Sequence, residues 1–228
     1  MVMAITYNSH IVKDGLIFCM DAADINGGSS AKNIVGSSTT ALVNEASFDS
    51  ANYGSISLDG TDDHITTTLS NSVFSSTDTK FTIDIWLKAD INNSALGIYG
   101  FTDGGAEYIE IRMDGTKYMF STRYNSITRS ATGTAITNTW TNLTCVKAPG
   151  LQDVYLNGEI ETVGSPNTAQ GDDLSFGSMS PVFGARGTSA SPSASYWNGN
   201  ISVVRVYDRA LSSVEIRTNY DATKRRYL

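Results

Sequence analysis

Hydrophobic and polar positions alternate with a period of two along much of this chain. From Phe81 to Lys88, Phe81, Ile83, Ile85 and Leu87 fall on one face and Asp84, Trp86 and Lys88 on the other, the pattern of a half-buried β-strand. Glu107 to Met113 repeats it, with Ile109, Ile111 and Met113 inward and Tyr108, Glu110 and Arg112 outward. Between Ser55 and Ile65, Ile56 and Leu58 alternate with serines, and Asp59-Gly60 predicts a hairpin turn. Asp114-Gly115 predicts a second turn, into a strand from Lys117 to Tyr124. A further strand is expected over Gly15–Met20, and a Gly/Ser/Thr-rich loop over Asn26–Thr40.

The closing segment is the most informative stretch. Asn198-Gly199 predicts a tight turn, because glycine reaches positive φ without a steric penalty. Ile201 to Tyr207 is β-branched and apolar on both faces, as in a strand covered on both sides. Ser212 with Glu215 three residues on forms a capping box, and Leu211 with Ile216 a hydrophobic staple, so one short helix starts here.

This segment resembles the end of laminin-G-like and pentraxin-like domains, the concanavalin A-like β-sandwiches. Gly199, Ile201, Val204-Arg205-Val206-Tyr207, Arg209-Ala210-Leu211-Ser212 and Glu215-Ile216 fill that family's closing form. Upstream, Gly15-Leu16-Ile17 with Asp21-Ala22-Ala23 is similar to its opening. Leu58 to Asp63 is similar to its Asp-Gly-x-Asp-Asp loop, with His64 in place of the usual aromatic. The strands Phe81–Lys88, Trp140–Val146 and Val182–Ala185 match as well, and Val154–Glu159 is similar to its Tyr-Leu/Val-Asn-Gly hairpin, which implies a turn at Asn157-Gly158. The resemblance implies an all-β, two-sheet antiparallel jelly-roll sandwich with one short C-terminal helix. It implies an entry segment over residues 1–14, the domain over 15–220 and a tail over 221–228.

Composition agrees with that class. In 228 residues, 40% are hydrophobic and 17% charged, with helix formers sparse, which suits a single all-β sandwich. A net charge of −7 without a basic, aromatic-rich patch excludes nucleic acid as a partner. Lys224-Arg225-Arg226, the one basic run, reads as a solvated tail. Cys19 and Cys145 sit in apolar strands and read as free buried thiols. No stretch is long enough to insert in a membrane, and Met1 to Asn8 lacks the features of a secretory leader, so synthesis and folding in a host cytoplasm are expected.

Candidate chemistry is narrow. The Glu-x-Asp-x-x-Glu strand of glucanases with this fold is missing, and Glu107 and Glu110 point to opposite faces; catalysis is not expected. Asp59, Asp62 and Asp63 offer oxygen to Ca²⁺, but an Asp-rich turn bonded to its own backbone is the favoured reading, with no cofactor. Where pentraxins carry their calcium cluster, this chain has Ala185-Arg186-Gly187. A glycan site needs aromatic faces and planar polar groups. Asp84, Trp86 and Lys88 with Tyr108, Glu110 and Arg112 would form one if their strands are neighbours, rimmed by Tyr99, Tyr124, Arg186, Tyr196 and Trp197. The opening is also similar to laminin-G-like proteins of tailed phages. That resemblance implies a non-enzymatic virion-surface component: capsid decoration, or a head-fibre or tail-fibre module. It would contact other virion proteins or self-associate through its termini. A free-standing extracellular bacterial lectin is the alternative and a glycoside hydrolase the third reading.

Overall fold

The period-two stretches become strands, and their apolar faces meet between two antiparallel sheets. The computed structural model describes residues 10–24, 28–50, 54–74, 79–91, 96–103, 107–124, 127–163, 174, 180–188 and 191–228. In chain order the strands are β1 (Leu16–Asp21), β2 (Thr40–Val43), β3 (Ser47–Asp49), β4 (Ser55–Asp59), β5 (His64–Thr67), β6 (Phe81–Ala89), β7 (Leu96–Asp103), β8 (Glu107–Asp114) and β9 (Lys117–Tyr124). Then come β10 (Ile127–Thr134), β11 (Thr141–Ala148), β12 (Leu151–Leu156), β13 (Glu159–Val163), β14 (Val182–Phe183), β15 (Ala185–Thr188), β16 (Ser191–Tyr196), β17 (Asn198–Tyr207) and the helix α1 (Ser213–Thr223).

The first sheet runs β13-β12-β11-β6-β17-β4-β3, and β1 shares the edge of β17 with β4. The second runs β10-β9-β8-β7-β14-β5-β2. Phe81, Ile83, Ile85 and Leu87 of β6 face Ile109, Ile111 and Met113 of β8 across one core, which also holds Phe18, Tyr99, Phe120 and Trp197. The all-β, two-sheet reading with one C-terminal helix therefore holds. No helix among the described residues is long and apolar enough to cross a membrane.

Two turns behave as expected: Gly115, at φ +60°, links β8 to β9, and Asn157-Gly158, both at positive φ, links β12 to β13. Two others differ. Asp59-Gly60 does not close a hairpin: β4 lies in the first sheet and β5 in the second, so Gly60 makes a corner between sheets. Asn198-Gly199 is no turn either; both residues open β17 and pair with β4. A Cβ on Gly199 would strike the Lys88 carbonyl oxygen, so glycine is required there for close strand approach.

The tail expectation is also corrected. The helix continues to Thr223, a 3-10 turn covers Lys224–Arg226, and Arg226 grips Asp21 at 2.7 Å while Tyr227 stacks on Trp86. Arg226 and Tyr227 are thus packed against the first sheet, while Asp221, Arg225 and Leu228 stay exposed. Cys19 and Cys145 are both buried and free. Cys145 belongs to the core between the sheets, whereas Cys19 pairs across from Arg205 on the outer face, so the sheet itself keeps them apart.

The capping box forms as the sequence predicts, with Ser212 and Glu215 exchanging hydrogen bonds. Glu215 also takes two bonds from Arg209, at 2.6 and 3.1 Å, and Arg209 reaches Asp14 at 2.9 Å. The Arg209 bonds first, then the Ser212 cap, pull the Glu215 carboxyl down to about 2. A carboxyl held lower in the folded state stabilises the fold above its unfolded pKa and loses that contribution as pH falls through the folded value. Stability should therefore drop between pH 4.5 and 2. Thermal unfolding across that range should show a shallower drop in Glu215→Gln, and an equal drop in both proteins would contradict the assignment.

Candidate functional site

The sandwich has two outer faces, and they differ in what covers them. On the first sheet, helical spacing puts Ile216, Asn219, Tyr220 and Thr223 on one side of α1. That side lies on the outer face of β6 and β17. Trp86 is fully buried beneath it. Its ring stacks on Tyr220 at 5.8 Å and on Tyr227 at 4.1 Å, and its Nε1–H donates to Thr223 Oγ1 at 2.9 Å. Asp84, one row along, is buried too. It pairs with Arg205 at 2.7 Å and accepts from Asn142 Nδ2 at 2.6 Å and Thr144 Oγ1 at 3.1 Å.

The expected groove joining Trp86 and Asp84 to Tyr108, Glu110 and Arg112 is therefore corrected. Strands β6 and β8 lie in different sheets, and the C-terminal helix closes the face that Trp86 and Asp84 occupy. Trp86 holds the helix to the sheet, Asp84 is buried in a network with Arg205, Asn142 and Thr144 of the same sheet, and neither is open to a glycan.

The outer face of the second sheet is built differently. Cross-strand pairing places Tyr108 beside Arg123 and Thr128, Glu110 beside Ser121 and Ser130, and Arg112 beside Met119 and Thr132. On the next strand the Arg112 and Glu110 rows end in Gly97 and Gly100. The β15–β16 hairpin lies across these glycines: a Cβ on Gly100 would come within 2.6 Å of Gly187 N, and one on Gly97 would strike Arg186 N. The hairpin so placed brings Arg186 Nε to 2.5 Å from Glu110, which also pairs with Arg112 at 3.1 Å. Arg112 extends to Asp114 at 3.3 Å.

Glu110 is thus sunk between two guanidiniums, 4% exposed, with Arg112 and Arg186 above it at 22% and 38%. The Nε–H groups of Arg112 and Arg123 are buried and have no hydrogen-bond partner among the described residues. Ser121 and Ser130 hydroxyls meet at 2.9 Å at the foot of the strip. The result is a strip of planar donors running from Arg123 beside the half-buried Tyr108 to Arg112, bounded on one side by the hairpin.

Of the sequence-predicted residues, Tyr108, Glu110, Arg112 and Arg186 come together here. Tyr99 and Trp197 are core residues. Tyr124 packs against the core from the end of β9, and Tyr196 sits 6.0 Å from the buried His64 ring. Arg123 was not among the expected residues, although its signal was present. A two-residue turn at Gly115-Thr116 pairs Asp114 with Lys117, which sets Tyr108 opposite Arg123.

The carboxylates of Asp59, Asp62 and Asp63 converge within 4.8 Å. Asp63 uses both oxygens on the backbone N–H groups of Glu45 and Asp59, and Asp59 accepts from Thr61 N. Their geometry is that of a turn held by its own side chains.

The profile of a laminin-G family, described as the concanavalin A-like lectin/glucanases superfamily, matches residues 59–217. The chain belongs to this family. No curated protein matches the laminin-G-like domain in sequence. Among solved structures, it is similar to the botulinum neurotoxin serotype G binding domain, with a TM-score of 0.69 and 15% identity over 90% of this chain and 50% of that one. Domain 4 of AbnA, a GH43 extracellular arabinanase from Geobacillus stearothermophilus in complex with arabinotriose, aligns at TM-score 0.68 and 17% identity over 92% of this chain and 100% of that one. Trypanosoma rangeli sialidase in complex with the inhibitor DANA aligns at 0.65 and 16%, over 92% of this chain and 33% of that one. The laminin-G-like domain thus spans half of the toxin binding domain and a third of the sialidase. At these identities the likeness is one of fold.

Proposed function

We propose that this chain is a non-enzymatic glycan-binding domain whose ligand lies on the outer face of the second sheet, across Tyr108, Arg123, Arg112 and Arg186. The observation that carries the reading is one sheet face that sets Tyr108 opposite Arg123 and carries Arg112 farther along β8, with the Nε–H groups of both arginines lacking a hydrogen-bond partner among the described residues. Sugars present apolar ring faces and closely spaced hydroxyls, which match an aromatic face flanked by planar donors. A similar sandwich, the arabinanase domain, is described with a trisaccharide bound, and the toxin relatives are receptor-binding domains. A lectin reading is favoured over a hydrolase because glycoside cleavage uses two carboxyl groups across the bond. Here Glu110 is held by Arg112 and Arg186, and Asp114 by Arg112.

We further propose that the domain is displayed on the surface of a tailed-phage virion and contacts other virion proteins. This rests on the Gly15-Leu16-Ile17 and Asp21-Ala22-Ala23 opening, and on no feature of the site. Among the described C-terminal residues, Arg226 and Tyr227 pack on the chain's own first sheet, while Val214 and Leu228 stay exposed.

A glycan array with Tyr108→Ala and Arg123→Ala beside the parent tests the site. Both variants should bind the parent's glycans at least about tenfold more weakly, equivalent to ~1.4 kcal/mol, with unchanged unfolding. A parent that binds no glycan, or variants that bind as well as the parent, would overturn the lectin reading. Light scattering on the same samples tests the assembly reading: a stable trimer or larger particle supports it, and a monomer that binds a defined glycan supports a free-standing lectin instead.

A further inference from the structure

The helix that seals Trp86 does not cover the whole outer face of the first sheet. Beside it lies a cavity of about 620 Å³, within the ~300–1,000 Å³ typical of small-molecule sites. Strands β1 and β17 form its floor, through Cys19 and Asp21 and through Val203 and Arg205. The last turn of α1 with the 3-10 turn makes one wall, and Ile34 and Val35 with Ile11 make the other.

Charge and apolar surface are separated in a specific way. Ile11, Ile34, Val35, Val203 and Ala222 give the cavity an apolar body. Four cationic side chains line it, Lys13, Arg205, Arg225 and Arg226, against two carboxylates, Asp21 and Asp24. The surplus is two positive charges, or one once Asp84 behind Arg205 is included, in a chain whose net charge is −7. Arg226 is engaged with Asp21 through two short bonds, at 2.7 and 2.8 Å. Arg205, only 4% exposed, gives one nitrogen to Asp84 and keeps a buried Nε–H with no hydrogen-bond partner among the described residues. A buried guanidinium N–H left without an acceptor is an uncommon arrangement in a folded protein.

We propose that this cavity is a second binding site, separate from the glycan face, for a small free amphipathic anion: a carboxylate or similar acidic head on a compact apolar body. The head answers the cationic side chains of the lining, and the body fills the space between Val203, Ala222 and the Ile34-Val35 loop. The glycan strip lies on the opposite sheet, so the two sites are distinguishable by mutation.

The test uses the full chain. Octanoate is titrated by calorimetry, with octanol as the uncharged tail and acetate as the head without a tail. Methyl resonances of Ile11, Ile34, Val35 and Val203 report the place. Octanoate should bind one-to-one with a submillimolar constant, octanol about tenfold or more weaker, and acetate should not saturate. The shifts should centre on those methyls. Val35→Trp, which fills the cavity from its loop side, should abolish binding, while Tyr108→Ala should leave it unchanged. Absence of saturable octanoate binding, shifts on the second sheet instead, or binding that survives Val35→Trp would each overturn the proposal. Octanol binding as tight as octanoate would overturn its anionic part. Sedimentation with phosphatidylglycerol vesicles in place of octanoate binding would point to a membrane surface and overturn the free-ligand assignment.

Discussion

Replacing Trp86 with alanine is expected to destabilise the domain by about 3–5 kcal/mol, the range for removing a large buried aromatic. The ring has no exposed surface, and three things depend on it: the Tyr220 stack, the Tyr227 stack and the bond to Thr223. All three partners belong to the C-terminal helix or the residues after it. The loss should therefore be local first. Hydrogen exchange should accelerate over residues 213–227 before the sheets open. Urea unfolding measures the total, and Trp86→Phe, which keeps one stacking face, should cost clearly less. A loss below about 1 kcal/mol, the scale of a surface change, would mean that the helix is held some other way. Glycan binding should persist in whatever fraction of Trp86→Ala remains folded.

Asp84→Ala should cost a similar amount, about 3–5 kcal/mol, because removing one partner of a buried ion pair strands the other charge. Arg205 would be left at 4% exposure without its carboxylate, and Asn142 and Thr144 would lose their acceptor. The double replacement Asp84→Leu with Arg205→Met removes both charges together. It should be much closer to the parent, since a buried pair replaced by apolar groups of similar size is often nearly neutral. Denaturant unfolding of the single and double variants decides the point. A double variant as unstable as Asp84→Ala would show that the cost lies in packing or in the Asn142 and Thr144 bonds rather than in the stranded charge.

These two residues also show what the sequence could and could not say. The alternation around Phe81–Lys88 correctly assigned Asp84 and Trp86 to the face away from the core. Alternation carries no information about what lies on that face. The covering element is the helix at Ser213, more than a hundred residues later, whose spacing gave no hint of where it docks. The same limit explains the corners. Asp59-Gly60 has hairpin chemistry, but Gly60 only supplies a positive φ, and whether the next strand returns beside β4 or crosses to the other sheet is decided by long-range pairing.

Many family-matching residues proved to be fold-holding ones. Arg205 serves the Asp84 pair, Arg209 clamps Asp14 and Glu215, and Ser212 caps the helix. A resemblance carried by such residues identifies the sandwich without specifying a ligand. The strip on the second sheet was legible in part. Tyr108, Glu110 and Arg112 follow from alternation on β8. Arg186 arrives on a hairpin whose position depends on Gly97 and Gly100, and no local pattern reports that placement.

The central claim is that the working face is the outer surface of the second sheet. The most direct measurement is an amide NMR titration of the parent chain with the best glycan from the array. The expected result is a contiguous set of shifts over residues 108–112, 119–123 and 128–132, extending to Arg186 on the hairpin. Shifts confined to the C-terminal helix and the strands beneath it, with the second sheet unmoved, would contradict the account.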